Sequence, residues 1–137
     1  MESRAISDAQ ISASSEYDSK HAAIQGRLNF QASDGKSGAW TAKNTDQNQW
    51  LQADLGNSKN ITQLATQGRN GNNQWVTSYK VEYSNNGVSF YCYQEHGADK
   101  VCEFSYTCFV HPAVNLVRPV QLKFWLFLPV FRLRDDI

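Results

Sequence analysis

The sequence predicts an all-β protein built on antiparallel sheet, and three observations carry that prediction. Residues 50–56 read W-L-Q-A-D-L-G, with Leu51, Ala53 and Leu55 alternating with Gln52 and Asp54. This is the period-two pattern of a strand with one buried and one wet face. Residues 77–84 repeat it, Thr77, Tyr79, Val81 and Tyr83 against Ser78, Lys80, Glu82 and Ser84. Aromatic side chains are plentiful, with 4 Trp, 6 Tyr and 7 Phe, and they fit a pleated surface better than a helix.

A chain of 137 residues makes one domain with a real core. Thirteen basic and thirteen acidic residues cancel, which argues against long-range electrostatic capture and leaves nucleic acid out of the expected partners. The three cysteines, Cys92, Cys102 and Cys108, are an odd number and form no C-x-x-C pair. With only His96 and His111 nearby and no acidic cluster, they read as ordinary thiols or one local disulfide, not as a metal site. A G-x-S-x-G elbow, H-E-x-x-H, P-loop and dinucleotide fingerprint are all missing, so neither an enzyme nor a cofactor is expected. The longest apolar run, 124–131, is eight residues with Pro129 inside it, against roughly 20 for a spanning helix.

Taken in order, residues 5–15 are small and polar around Ile6 and Ile11, suited to a lead-in and a short strand over 10–14. Residues 16–29 form an excursion with a short helical or turn segment at 21–25, because Gly26 interrupts any longer helix. Residues 30–48 are rich in Gly, Ser, Asp, Asn and Lys and read as a surface loop pinned by Trp40. After the strand at 51–55 and a turn at 56–59 comes a second strand over 61–67. Ile61, Gln63 and Ala65 are expected on one face and Leu64 on the other. Asn60-Ile61-Thr62 fits the N-glycosylation pattern, which only a secreted chain would use. Residues 68–73 are a glycine- and asparagine-rich tip. Asn85-Asn86-Gly87 signals a hairpin between the 77–84 strand and a partner over 88–93.

Read together, Ala5-Ile6-Ser7-Asp8 through Ser15, A-A-I-Q-G-R-L-N at 22–29, Gly38-Ala39-Trp40, 48–56 with its W-L-Q-A-D-L-G, A-T-Q-G-R at 65–69, Q-W-V-T at 74–77 and 79–90 resemble, in that order, the discoidin domain, also called the coagulation factor 5/8 type C domain. The likeness spans residues 3–101. It implies a jelly-roll β-sandwich or distorted barrel of the galactose-binding-domain-like kind. It also implies a non-catalytic module of secreted or membrane-anchored proteins, hence an extracellular setting. Members of that family bind glycans, collagen, cell-surface receptors or anionic phospholipid through loops at one end of the barrel.

By that resemblance the loops are 16–23, 37–47 and 69–74. Their tips here are polar: Lys20 and His21, Asn44 and Thr45, Asn72 and Asn73. Lipid-binding members carry apolar tips that enter the bilayer, so this departure favours a glycan or a cell-surface or matrix protein. A ring stacks on a sugar's apolar face while amides, Arg or His bond its hydroxyls. The candidate ligand-binding residues are therefore Tyr17, Lys20, His21, Asn44, Arg69, Asn72, Asn73 and Trp75. The competing readings are that Trp40, Trp50 and Trp75 are packed inside as braces and that His21 is an exposed residue without a role. Anionic phospholipid, or a truncated product without function, is the alternative function.

Beyond residue 101 the family pattern breaks, so the fold is expected to be incomplete at its C-terminal end. Residues 102–137 read as a divergent tail, either sequence foreign to the domain or a replacement for the final strands. Phe124 to Leu128 are consecutive apolar residues without alternation. The resemblance implies a terminal disulfide, worth about 2–4 kcal/mol, whose two cysteines have no counterpart here. Met1-Glu2-Ser3-Arg4 leads into polar sequence without the apolar stretch of a signal peptide, and the chain reads as an internal fragment. Without the final strands, a sheet edge beside Tyr79, Val81 and Tyr83 is expected to be open.

Overall fold

The computed structural model describes residues 5–57, 59–103, 108–116, 121–126 and 130–131. Its strands are β1 (Ile11–Ala13), β2 (Trp40–Thr41), β3 (Gln49–Asp54), β4 (Lys59–Leu64), β5 (Ser78–Ser84), β6 (Tyr91–Cys92), β7 (Gln94–Glu95), β8 (Ala98–Asp99), β9 (Val101–Glu103), β10 (Cys108–Leu116), β11 (Gln121–Leu126) and β12 (Val130–Phe131). The helical content among these residues is three short 3-10 turns, Asp8–Gln10, Ser19–His21 and Ala23–Gly26. The main sheet runs β1-β3-β11-β5-β6, with β9 also on β5. β4 pairs with β10, β2 with β12 and β7 with β8. Every pairing is antiparallel. The sheets make a jelly-roll-like sandwich that is not fully closed.

The alternation read in the sequence builds the core. Leu51 and Ala53 of β3 and Tyr79 and Val81 of β5 are buried, joined by Ile6, Ile11, Ile61, Leu64, Val76 and Tyr93. Burial of the Tyr79 phenol raises its pKa well above the usual tyrosine value. Trp40 is fully buried, 0% exposed, and its indole N–H donates to the Ser15 carbonyl at 2.9 Å. The polar loop is therefore pinned as expected. Trp50 alternates with the buried Leu51 and is half-buried. Gly26 lies so close to the core that a Cβ there would sit 2.8 Å from Leu51 Cδ2.

Four local expectations are corrected. Leu64 is buried along with Ile61 and Ala65, because β4 ends at Leu64 and the alternation ends with it; the Gln63 side chain lies outside the described residues. Ser84, expected on the wet face, is fully buried: its Oγ accepts the N–H groups of Asn86 at 3.3 Å and Gly87 at 2.9 Å. It thereby organises the hairpin loop, which spans 85–90 before Tyr91 pairs with Tyr83. The excursion at 16–29 holds two separate 3-10 turns joined at Ala22. The edge expected to be open beside Tyr79 and Val81 is occupied by β11, where Phe124 is in register with Val81 on one side and Leu51 on the other. Of the apolar run 124–131, residues 127–129 lie outside the described residues.

The cysteines divide as the sequence allowed. Cys92 is a free, half-buried thiol, and burial followed by the Asp99 carboxylate pushes its pKa up to about 11. Cys102 is buried and disulfide-bonded. Asn60-Ile61-Thr62 lies within β4, and Thr62 is exposed.

Candidate functional site

Strand register brings the three loops to one end of the sandwich. β1 is antiparallel to β3 and leaves the sheet at Ala13, opposite Leu51, so loop 16–23 emerges at the Gln49 end. The second loop runs directly into Gln49. β11 places Leu126 beside both Gln49 and Tyr79, which sets the start of β5, and the loop before it, at the same level. Residues 55–57 and the 85–90 loop lie at the other end.

The first loop is held by its own acids. Asp18 caps the Ser19–His21 turn, its Oδ1 accepting the Lys20 N–H at 2.9 Å, and the same oxygen meets His21 Nδ1 at 2.6 Å. Hydrogen bonding to His21 and to the Lys20 amide holds the Asp18 carboxyl below its ordinary value. Tyr17 packs edge-on against the imidazole, centroids 5.4 Å apart. Glu16 Oε1 accepts the Ala23 N–H at 2.7 Å and closes the loop. His21 is thus half-buried and paired, not an idle exposed side chain. Its Nδ1 is committed to Asp18.

The second and third loops are joined by backbone. The 33–36 reversal places Asp34 and Gly35 at φ 49° and 75°, and Lys36 N–H donates to the Ser33 carbonyl at 2.8 Å. Ser37 N–H then donates to the Lys20 carbonyl at 2.7 Å, and Gly38 bridges to Asn70. That approach requires glycine, since a Cβ on Gly38 would lie 2.7 Å from both the Asn70 Cβ and its carbonyl oxygen. In the third loop Arg69 is doubly tied to Gln74. Its N–H donates to the Gln74 carbonyl at 2.8 Å and its Nη1 to Gln74 Oε1 at 2.7 Å. Gly71 at φ 75° turns the tip, which leaves Asn72 and Asn73 exposed.

All eight candidate residues lie on loops that open at this end. Tyr17, Lys20 and His21 are linked through Ser37 and Gly38 to the loop carrying Arg69, Asn72, Asn73 and Trp75. The two rings stand out, Tyr17 at 62% and Trp75 at 40% exposure. Asn44 is exposed on the outer arm of the second loop, whose Lys43 N–H donates to Ser15 Oγ at 3.1 Å and whose Thr41 carbonyl accepts the Tyr17 N–H at 2.9 Å. Asp18, Asn70, Gln74 and Gln49 escaped the sequence reading. Gln49 Oε1 accepts the hydroxyls of Ser14 and Ser15 at 2.7 and 2.6 Å, and its Nε2 donates to Asp46. The capping spacing of Asp18 three residues before His21 was the one local signal available; the long-range contacts left none. Among the described residues no three His, Cys, Asp or Glu are grouped to hold a metal.

The model of the F5/8 type C domain family matches residues 10–118. The chain belongs to this family. Mouse and rat lactadherin are each 35% identical over 138 residues, a span covering 95% of this chain and 29% and 32% of theirs; the chain is thus about a third of the length of the curated relatives it matches. Among solved structures, discoidin II of Dictyostelium discoideum superposes over 90% of this chain and 52% of its own, with a TM-score of 0.77 at 23% identity. The family 32 carbohydrate-binding module of Clostridium perfringens NanJ, solved with galactose, superposes over 89% of this chain and 92% of its own with a TM-score of 0.54 at 19% identity. As an F5/8 type C domain the chain is a non-catalytic module.

Proposed function

We propose that this F5/8 type C domain binds a glycan, carried on a cell-surface or matrix glycoprotein outside the cell, through the loops at its Gln49 end. The observation that carries the reading is the pairing of exposed rings with fixed polar groups at that end. Tyr17 and Trp75 offer stacking faces, while Lys20, His21, Asn72 and Asn73 offer donors and acceptors to hydroxyls. The bonds that hold Asp18 to His21 and Arg69 to Gln74 set these groups before a ligand arrives, which reduces the ordering cost of binding. The fold likeness to a carbohydrate-binding module with bound galactose gives galactose-terminated glycans first place among probes.

The test is a glycan array followed by titration with methyl β-galactoside. Asn72→Ala with Asn73→Ala should weaken binding about five- to 150-fold, from two lost hydrogen bonds at about 0.5–1.5 kcal/mol each, with the melting temperature unchanged. Unchanged affinity in a folded variant moves the site off the third loop, and a blank array with no binding to matrix or cells overturns the reading. A membrane surface is the second reading, on the exposure of the same two rings. Flotation with liposomes containing phosphatidylserine, and not with neutral ones, would favour it.

A further inference from the structure

We propose that a cleft on the flank of the sandwich, beside this end, is an extension subsite for a second, neutral sugar unit of the same glycan. The inference rests on the glycan reading above. The cleft encloses about 370 Å³ and is lined by Arg27, Asn29, Phe30, Gln31, Ser33 and Lys36, with Leu28. That volume falls within the range of small-molecule sites. Its lining is the sugar-binding repertoire: one half-buried ring, two side-chain amides, a hydroxyl and an ammonium.

The cleft is built from fixed backbone. Phe30 N–H donates to the Arg27 carbonyl at 3.3 Å, Asn29 N–H to Gln67 Oε1 at 3.1 Å, and Ala32 N–H to Asn70 Oδ1 at 3.2 Å. Asn29 and Asp34 are held at φ 55° and 49°, conformations that cost energy unless the surroundings impose them. One wall ends in Arg27, whose Nη2 donates to the Ile6 carbonyl at 2.8 Å and to Asp8 Oδ1 at 2.6 Å.

Two contacts join the cleft to the loop tips. Asn70 holds Ala32 with its side chain and Gly38 with its backbone, so the third loop and the cleft wall share one residue. The Lys20 stem lies against the 33–36 reversal, its Cε 4.0 Å from a Cβ built on Gly35. A saccharide chain resting on the tips can pass over that reversal into the cleft. The lining favours a neutral unit: Arg27 is already bonded to Asp8, and Asn29, Gln31 and Ser33 present amides and a hydroxyl suited to sugar hydroxyls.

The experiment compares methyl β-galactoside with the neutral tetrasaccharide lacto-N-neotetraose on the whole chain. The parent should bind the tetrasaccharide about tenfold more tightly. Gln31→Ala with Lys36→Ala, both exposed positions, should bring that ratio to about one while the affinity for methyl β-galactoside and the melting temperature stay unchanged. A parent ratio near one, or a double variant that keeps the full ratio, overturns the subsite and leaves the glycan reading standing. If the parent binds neither probe nor any array glycan, the glycan reading fails and the subsite with it.

Discussion

At the residue scale, the site depends on one carboxylate that was absent from the candidate set. Asp18 caps a turn and anchors His21 with the same oxygen. Its pKa is lowered from the ordinary 3.8, first by the hydrogen bond to His21. A carboxylate depressed in the folded state contributes its stabilisation above the unfolded value and loses it as pH falls through the folded one. The first loop should therefore hold its form from neutral pH down to about pH 4 and loosen below it. NMR titration should show the Lys20 amide shifting with the Asp18 carboxyl, at a midpoint below 3.8. A midpoint above that value would contradict the pairing. Tyr17 and Trp75 were legible as ring candidates because they flank polar tips. Asn70 was not, since what marks it is a contact with Gly38 that is invisible along the chain.

The element scale concerns the seam between loops. Gly38 approaches Asn70 so closely that any Cβ must move backbone atoms, not a flexible side-chain end. Gly38→Ala should cost about 1–3 kcal/mol, a fall in melting temperature of roughly 3–10 °C. It should also weaken glycan binding, because it parts the second and third loops. Thermal melts and titration measured together check both; a variant as stable and as tight-binding as the parent would mean the seam holds nothing. The strands β3 and β5 were legible because one-sided burial writes itself as alternation at Leu51, Ala53, Tyr79 and Val81. β4 was legible as a strand but not in its facing, since Leu64 sits where the strand ends and period two no longer applies. The two 3-10 turns at 19–26 fall below the length at which a periodic pattern can be read.

For the whole molecule, the least legible segment is the one that joins the two halves of the main sheet. Consecutive apolar residues at 124–126 carry no alternation, so nothing local says that β11 lies between β3 and β5. A chain ending at residue 116 should lack that strand and leave β3 and β5 unjoined. It should show no cooperative melt by circular dichroism, where the full chain shows one; a cooperative transition at the parent temperature would make the tail dispensable. The arrangement also bears on how the protein is made. The halves of the main sheet are synthesised first and the strand that joins them only after both, a pairing of high contact order that slows folding. Until then β3 and β5 present naked edges on the ribosome, and a second nascent chain is the natural competitor for them. Expression yield should thus be limited by late closure of the sheet more than by the stability of the finished fold, and chaperones that mask strand edges during synthesis should raise it.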